Sequence, residues 1–142
     1  MSFQEIDPRT DPKELFLLGT RFHGHPGPFL ALGIRMGLLA LSLLGSRGHR
    51  GIMAEVETGT KPPISCMVDG IQVSTGCTTG KGNLSVKPLG KPAAVFSANG
   101  KRVRIEVRPE WLSRLEKLGA PDNLAEEVLR AKAEDLFTWN LC

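Results

Sequence analysis

The spacing of apolar positions changes several times along the chain, and each change marks an element. Residues 11–14, Asp-Pro-Lys-Glu, combine a capping aspartate, a proline at the first helical position and a glutamate three residues after the cap. They predict a short helix from residue 12 to Leu18, stopped at Gly19. The longest apolar stretch, FLALGIRMGLLALSLL at residues 29–44, reads as a core helix that Pro28 opens and Gly45 ends. Gly33 and Gly37, four apart, give it one face on which another backbone can come close.

Residues 52–57 alternate, with Ile52, Ala54 and Val56 on one face and Met53, Glu55 and Glu57 on the other, as in a half-buried strand. After the break at Lys61-Pro62-Pro63, the segment ISCMVDGIQVSTG spaces Ile64, Met67, Val68 and Ile71 for a helical face, with Gly76 as its stop. Three short strands are predicted at residues 84–87, 93–97 and 101–107. Asn99-Gly100 supplies the hairpin between the last two, because both central positions of a type I′ turn need positive φ. Val103, Ile105 and Val107 then face the core. Pro109 opens a helix carrying Trp111, Leu115 and Leu118, and Asn123 with Glu126 caps a last one carrying Leu124, Val128, Ala131 and Leu136. No repeat, low-complexity run or linker divides the pattern. It predicts one α+β domain over residues 1–142, with a helical tail at about 109–138.

Composition narrows the classes. A chain of 142 residues with 41% hydrophobic content can bury one core. Residues 29–44 fall short of the roughly 20 that span a bilayer, and Arg35 interrupts them, so no membrane partner is expected. Three cysteines, and no basic-then-apolar start, argue for a reducing compartment and a cytoplasmic location rather than a disulfide-stapled secreted module. Lys and Arg number 18 against 15 acidic residues, and the basic groups Arg47/Arg50 and Lys101/Arg102/Arg104 lack interleaved aromatics. That excess implies no nucleic-acid partner.

The chemistry-bearing residues cluster in two segments. His23 and His25 flank one glycine, and in an extended segment both imidazoles face the same side. Cys66 and Cys77 are eleven apart, which on an unbroken helix lies only about 20° beyond three full turns. Gly76 leaves Cys77 just past the helix end, so a shared site needs the loop to fold back; otherwise the thiols serve different places, or are simply buried. Asp69 and Gln72 follow Cys66 at helical spacing. The turn Gly76-Cys77-Thr78-Thr79-Gly80-Lys81-Gly82-Asn83 has the wrong glycine spacing for a phosphate loop, although its N–H groups and Lys81 suit a small anion or a tight connection. Cys142, the last residue, carries no assigned role.

Taken in order, FHGHPGPFLALGIRMG, CMVDGIQVSTGCTTGKGNL and GKPAAVFSANGKRVRI resemble the FmdE (FwdE) family of formylmethanofuran dehydrogenase subunits, over roughly residues 20–107. The family's usual patterns are FHGH-x-CPG-x-x-LG, C-x-x-D-[AG]-IQ and TGCT-x-GKGNL, the last matching position for position. The resemblance implies an α-β-α-β-β-β core with a mixed sheet, a homodimer, and association with a molybdenum or tungsten enzyme system. It also implies a transition-metal site at His23, His25, Cys66 and Cys77, with Asp69, Gln72, Thr78, Lys81 and Asn83 around it. Two imidazoles and two thiolates suit Zn²⁺ first, with Ni or Fe as alternatives. The family's cysteine in the first motif falls at Gly27, and its Pro-Gly becomes Pro28-Phe29. These residues also lack the cysteine-rich tail that many members carry.

Three functions fit this reading. The first is a metal-binding accessory protein. The second is a small metal-dependent enzyme with an open coordination position, marked by a cleft beside the ion. The third is a metal-free interaction subunit.

Overall fold

A computed structural model describes residues 3–142. Two helices lead, α1 (Pro12–His23) and α2 (Pro28–Leu44), followed by strand β1 (Ile52–Val56), helix α3 (Cys66–Thr75) and strands β2 (Leu84–Val86), β3 (Ala93–Ala98) and β4 (Lys101–Val107). Helices α4 (Pro109–Leu118), α5 (Leu124–Arg130) and α6 (Ala133–Leu136) precede a last strand, β5 (Phe137–Leu141). The five strands run in the order β2-β1-β3-β4-β5. β1 and β2 are parallel and joined through α3, and every other pairing is antiparallel. This is the α+β architecture with a mixed sheet that the sequence implies.

One face of the sheet supplies the core through Ile52, Ala54, Val56, Ala94, Phe96, Val103, Ile105 and Val107, all buried. The other face is polar. There Arg104 donates to both carboxylate oxygens of Glu57, at 3.1 and 2.7 Å, and to Glu106 at 2.8 Å. Those bonds hold the Glu57 carboxyl below the usual carboxylate range.

α2 is apolar all round because it is surrounded by the sheet, α1, α3 and α5. Its glycines set the approach of α3: a Cβ at Gly33 would collide with the Met67 carbonyl, and one at Gly70 with the Leu30 carbonyl. The Gly33/Gly37 face is therefore an intramolecular helix contact. Arg35, the charge inside the apolar run, donates to the carbonyls of Val128 and Leu129 at 2.8 and 2.9 Å, at the end of α5. No helix among the described residues is long and apolar enough to cross a membrane.

Three expectations need correction. The first helix does not stop at Gly19, which is buried against Leu30 and Ile34, but runs on to His23 and ends at Gly24 in the left-handed region (φ 94°). The helical tail breaks after Arg130, and residues 137–141 form a strand on the edge of the sheet. Asn123 precedes α5 without its side chain capping it. The hairpin is as expected, with Asn99 at φ 54° and Gly100 at 73°.

Candidate metal centre

Where α1 ends, α2 begins and α3 begins, three sequence-distant segments meet. The αL turn at Gly24 ends α1 one residue after His23, Gly27 precedes α2 in an extended conformation, and Cys66 is the first residue of α3. His23, His25 and Cys66 line one cavity of about 40 Å³, together with Gly27, Pro28, Phe29, Leu30, Pro63 and Ala120. A water occupies about 30 Å³ of liquid, whereas organic ligands take several hundred, so this void is the size of an ion or a water.

His23 is fixed in place. Its Nδ1 lies 2.6 Å from Asp69 Oδ2, on the first turn of α3, and that bond leaves Nε2 as the ring atom available to a ligand. Asp69 Oδ1 accepts from Gln72 Nε2 at 3.3 Å, and Gln72 Oε1 accepts from the Thr79 N–H at 3.2 Å. A hydrogen-bonded line thus follows one face of α3, from the histidine to the glycine-rich turn. His25 is held differently. Its Nε2 pairs with Asp122 at 2.9 Å, both side chains more than half exposed. Burial, reinforced by the Asp69 charge, pushes the Cys66 thiol pKa up.

The other expected residues lie elsewhere. Cys77 is fully buried beyond the far end of α3, about 15 Å along the helix axis from Cys66. Its thiol donates to the Ile52 carbonyl at 3.7 Å, and burial raises its pKa as well. The loop does not fold back, because Thr78, Lys81 and Asn83 tie it down where it is. The Thr78 N–H donates to Asn83 Oδ1 at 2.8 Å, Lys81 Nζ donates to the Gly76 carbonyl at 2.5 Å, and Asn83 Nδ2 donates to the carbonyls of His49 and Ile52. The nine candidates therefore divide: His23, His25, Cys66 and Asp69 gather at one end of α3, Cys77, Thr78, Lys81 and Asn83 lie at the other, and Gln72 bridges Asp69 to the turn. The extended-segment geometry for His23 and His25 also fails, since His23 is helical.

Sequence reasoning missed the wall made by the α4–α5 turn, which brings Ala120 to the cavity and Asp122 to His25. Nothing in the spacing of that turn points to it, because the contact is purely tertiary.

The donor chemistry is that of a site with two imidazoles and one thiol, suited to a borderline-soft ion. Among the described residues no three of the His, Cys, Asp and Glu side chains converge as a ready ligand group. The pair with Asp122 engages His25 Nε2, and the other ring nitrogen, Nδ1, lies toward Gly27, where a Cβ would be 3.0 Å from it. A larger cavity, about 570 Å³ and lined by Phe3, Arg47, Arg50 and Asn99, opens at the other end of α2, about 25 Å along that helix.

The sequence pattern of the family described as "FmdE, Molybdenum formylmethanofuran dehydrogenase operon" matches residues 22–141. A curated relative from Archaeoglobus fulgidus, named "Probable S-adenosyl-L-methionine-binding protein", is 38% identical over 116 residues. The match takes in 76% of this chain and 30% of the relative, so the chain spans under a third of that protein's length. A crystal structure of a "tungsten formylmethanofuran dehydrogenase subunit e (fmde)-like protein" from Syntrophus aciditrophicus superposes with a TM-score of 0.65. That match covers 99% of this chain and 77% of the other at 24% identity, and it shows the fold.

Proposed function

The chain belongs to the FmdE family, and from that premise we propose that it is a metal-binding accessory protein of a molybdenum- or tungsten-dependent dehydrogenase system. His23, His25 and Cys66 hold one transition-metal ion, Zn²⁺ before Ni or Fe. The observation that carries this reading is the ion-sized cavity lined by two imidazoles and one thiol, with His23 pinned by Asp69. Asp69 and Gln72 orient the histidine rather than touch the ion. Cys77, Thr78, Lys81 and Asn83 have no part in it. They brace the glycine-rich turn against β1 and the loop before it.

A bound ion would supply a Lewis-acidic centre there. The chain's own contribution is two imidazole nitrogens, one thiol and an apolar wall of Pro28, Phe29, Leu30 and Pro63 that limits water. The cavity's size supports the accessory reading over the enzymatic one, because the enzyme needs room for a substrate beside the ion.

Zn²⁺ titration of the purified protein, with elemental analysis, tests the proposal. One ion per chain is expected, lost in His23→Ala and in Cys66→Ser and retained in Cys77→Ala. Absence of uptake of Zn²⁺, Ni²⁺ and Fe²⁺ overturns it, as does uptake that survives both of the first two substitutions.

A further inference from the structure

α2 keeps one strip partly open along its length. Its residues that are not buried, Arg35, Leu39, Ser42 and Leu43, all fall within about 100° of the helix circumference. Arg35, Leu39 and Ser42, with Leu38 beside them, floor a cavity of about 280 Å³. Its walls are Pro8 and Pro12, on either side of the turn that leads into α1, and Ala133, the first residue of α6. Thr10 and Ser42 add a hydroxyl group each to the lining. The volume is several times a water's share of about 30 Å³ and below that of a drug-sized pocket, which suits a small organic molecule.

Arg35 says which molecule. Its Nη1 gives its hydrogens to the Val128 and Leu129 carbonyls, while Nε and Nη2 have no partner among the described residues and are not sealed from solvent. Those two atoms form one edge of the guanidinium, the edge whose parallel N–H bonds match the two oxygens of a carboxylate. The acids around the cavity do not supply that carboxylate. Asp7, next to the proline wall, is held by Arg9 Nε and Nη2 at 3.2 and 3.0 Å. Burial pulls the Arg35 pKa down, and the Glu134 charge acts the other way without forming an ion pair. A partly buried cation with a free bidentate edge and no counter-ion, facing a cavity, is a site for an anion.

We propose that this cavity binds a small monocarboxylate with a short aliphatic chain, its two oxygens on the Nε–Nη2 edge of Arg35 and its chain against Leu38, Leu39 and the two prolines. The walls are set in advance, since proline fixes its own φ and the turn between Pro8 and Pro12 is closed by the Thr10 N–H on the Asp7 carbonyl at 2.9 Å, so binding orders little of the chain. The site is separate from the metal centre, because the two cavities share no lining residue. Arg35 therefore has two tasks, with Nη1 fastening α5 to α2 and the opposite edge holding the ligand.

Titration of the ¹⁵N-labelled chain with acetate, propionate and butyrate, at constant ionic strength, tests the proposal through the Arg35 Nε–H resonance. Butyrate is expected to shift that resonance saturably, with millimolar affinity, and each methylene from acetate onward to tighten binding at least about twofold, toward the roughly fourfold of full burial. Butyramide, which keeps the chain and loses the charge, is expected to bind at least about tenfold more weakly. Arg35→Met removes binding, but it also frees α5. Ser42→Asp serves beside it, since Ser42 is exposed and the substitution leaves the Arg35 bonds in place. It sets a carboxylate at the floor of the cavity and is expected to weaken butyrate at least about tenfold with an unchanged circular dichroism spectrum. No saturable shift by about 50 mM butyrate overturns the proposal. So does binding that is indifferent to chain length or matched by inorganic phosphate, which would mark a surface anion contact only, and so does butyrate binding undiminished in a folded Ser42→Asp variant.

Discussion

Asp69 Oδ2 lies 2.6 Å from His23 Nδ1 and joins the end of α1 to the first turn of α3 across 46 positions of sequence. Its physical effect is to choose the nitrogen that His23 presents to the cavity. In metal sites such a carboxylate typically contributes 10- to 100-fold in affinity without touching the ion. Asp69→Asn is therefore expected to weaken Zn²⁺ binding roughly 10- to 100-fold while moving the denaturation midpoint little, because both side chains are partly exposed. Isothermal titration beside a denaturant curve separates the two effects. An unchanged isotherm would remove Asp69 from the site.

The closest approach of α2 and α3 rests on two missing side chains. A Cβ at Gly33 or Gly70 meets backbone of the opposite helix, which cannot swing aside as a side-chain tip does. Gly33→Ala and Gly70→Ala are each expected to cost about 3 kcal/mol or more, the upper end of overpacking penalties, and to displace the helix that carries Cys66 and Asp69. Gly80→Ala, where a Cβ meets nothing within 4 Å, is the control and should stay within about 0.5 kcal/mol. Chemical denaturation of the three variants decides.

Much of this architecture is written in local signals. Pro28 and Gly45 bracket α2, Asn99-Gly100 makes the hairpin, and the alternation through Val103, Ile105 and Val107 matches the buried face of β4. Gly19 misleads because its lack of a side chain serves a tertiary contact with Leu30 and Ile34 rather than a helix end. β5 departs from the expected helical tail: Phe137, Trp139 and Leu141 alternate with Thr138 and Asn140, a period-two run too short to stand out beside the helix before it. The site was half legible. His23, His25, Cys66 and Asp69 share motifs and do meet, but the spacing of Cys66 and Cys77 cannot show that Asn83 and Lys81 anchor the second thiol at the far end of α3. Asp122 leaves no trace in the sequence, since its neighbour His25 lies on a different segment.

On the polar face of the sheet, the paired bonds from Arg104 keep Glu57 ionised below the usual carboxylate range. A carboxylate whose folded pKa lies below its unfolded value contributes stability that is complete above the unfolded value, near 4.5, and lost as pH falls through the folded one. Glu57→Gln removes that acid-sensitive share. Its expected cost at neutral pH is about 1.5–3 kcal/mol, the range for hydrogen bonds to charged groups, and the gap to the unaltered chain should narrow below pH 4.5. Thermal unfolding from pH 3 to pH 7 measures it. A gap that stays constant across that window would show that the pair contributes nothing through its charge.

Gly27 is the position at which this chain departs from the family's first motif, and the geometry there makes the departure reversible. Its backbone is extended, with φ −88° and ψ 166°, so any residue can adopt it. A Cβ built there lies 3.0 Å from His25 Nδ1, close enough that the ring must give way slightly, and His25 is a half-exposed side chain free to do so. Gly27→Cys therefore sets a second soft donor at the wall of the cavity that His23, His25 and Cys66 already line. Two imidazoles and two thiolates complete a tetrahedral set for Zn²⁺, and the variant is expected to bind the ion at least about tenfold more tightly than the unaltered chain. Competition with a chromogenic chelator reads the change, and Co²⁺ substitution reports the number of thiolates through its charge-transfer absorption. An affinity unchanged by the added thiol, in a variant that remains folded, would place the ion somewhere other than this cavity.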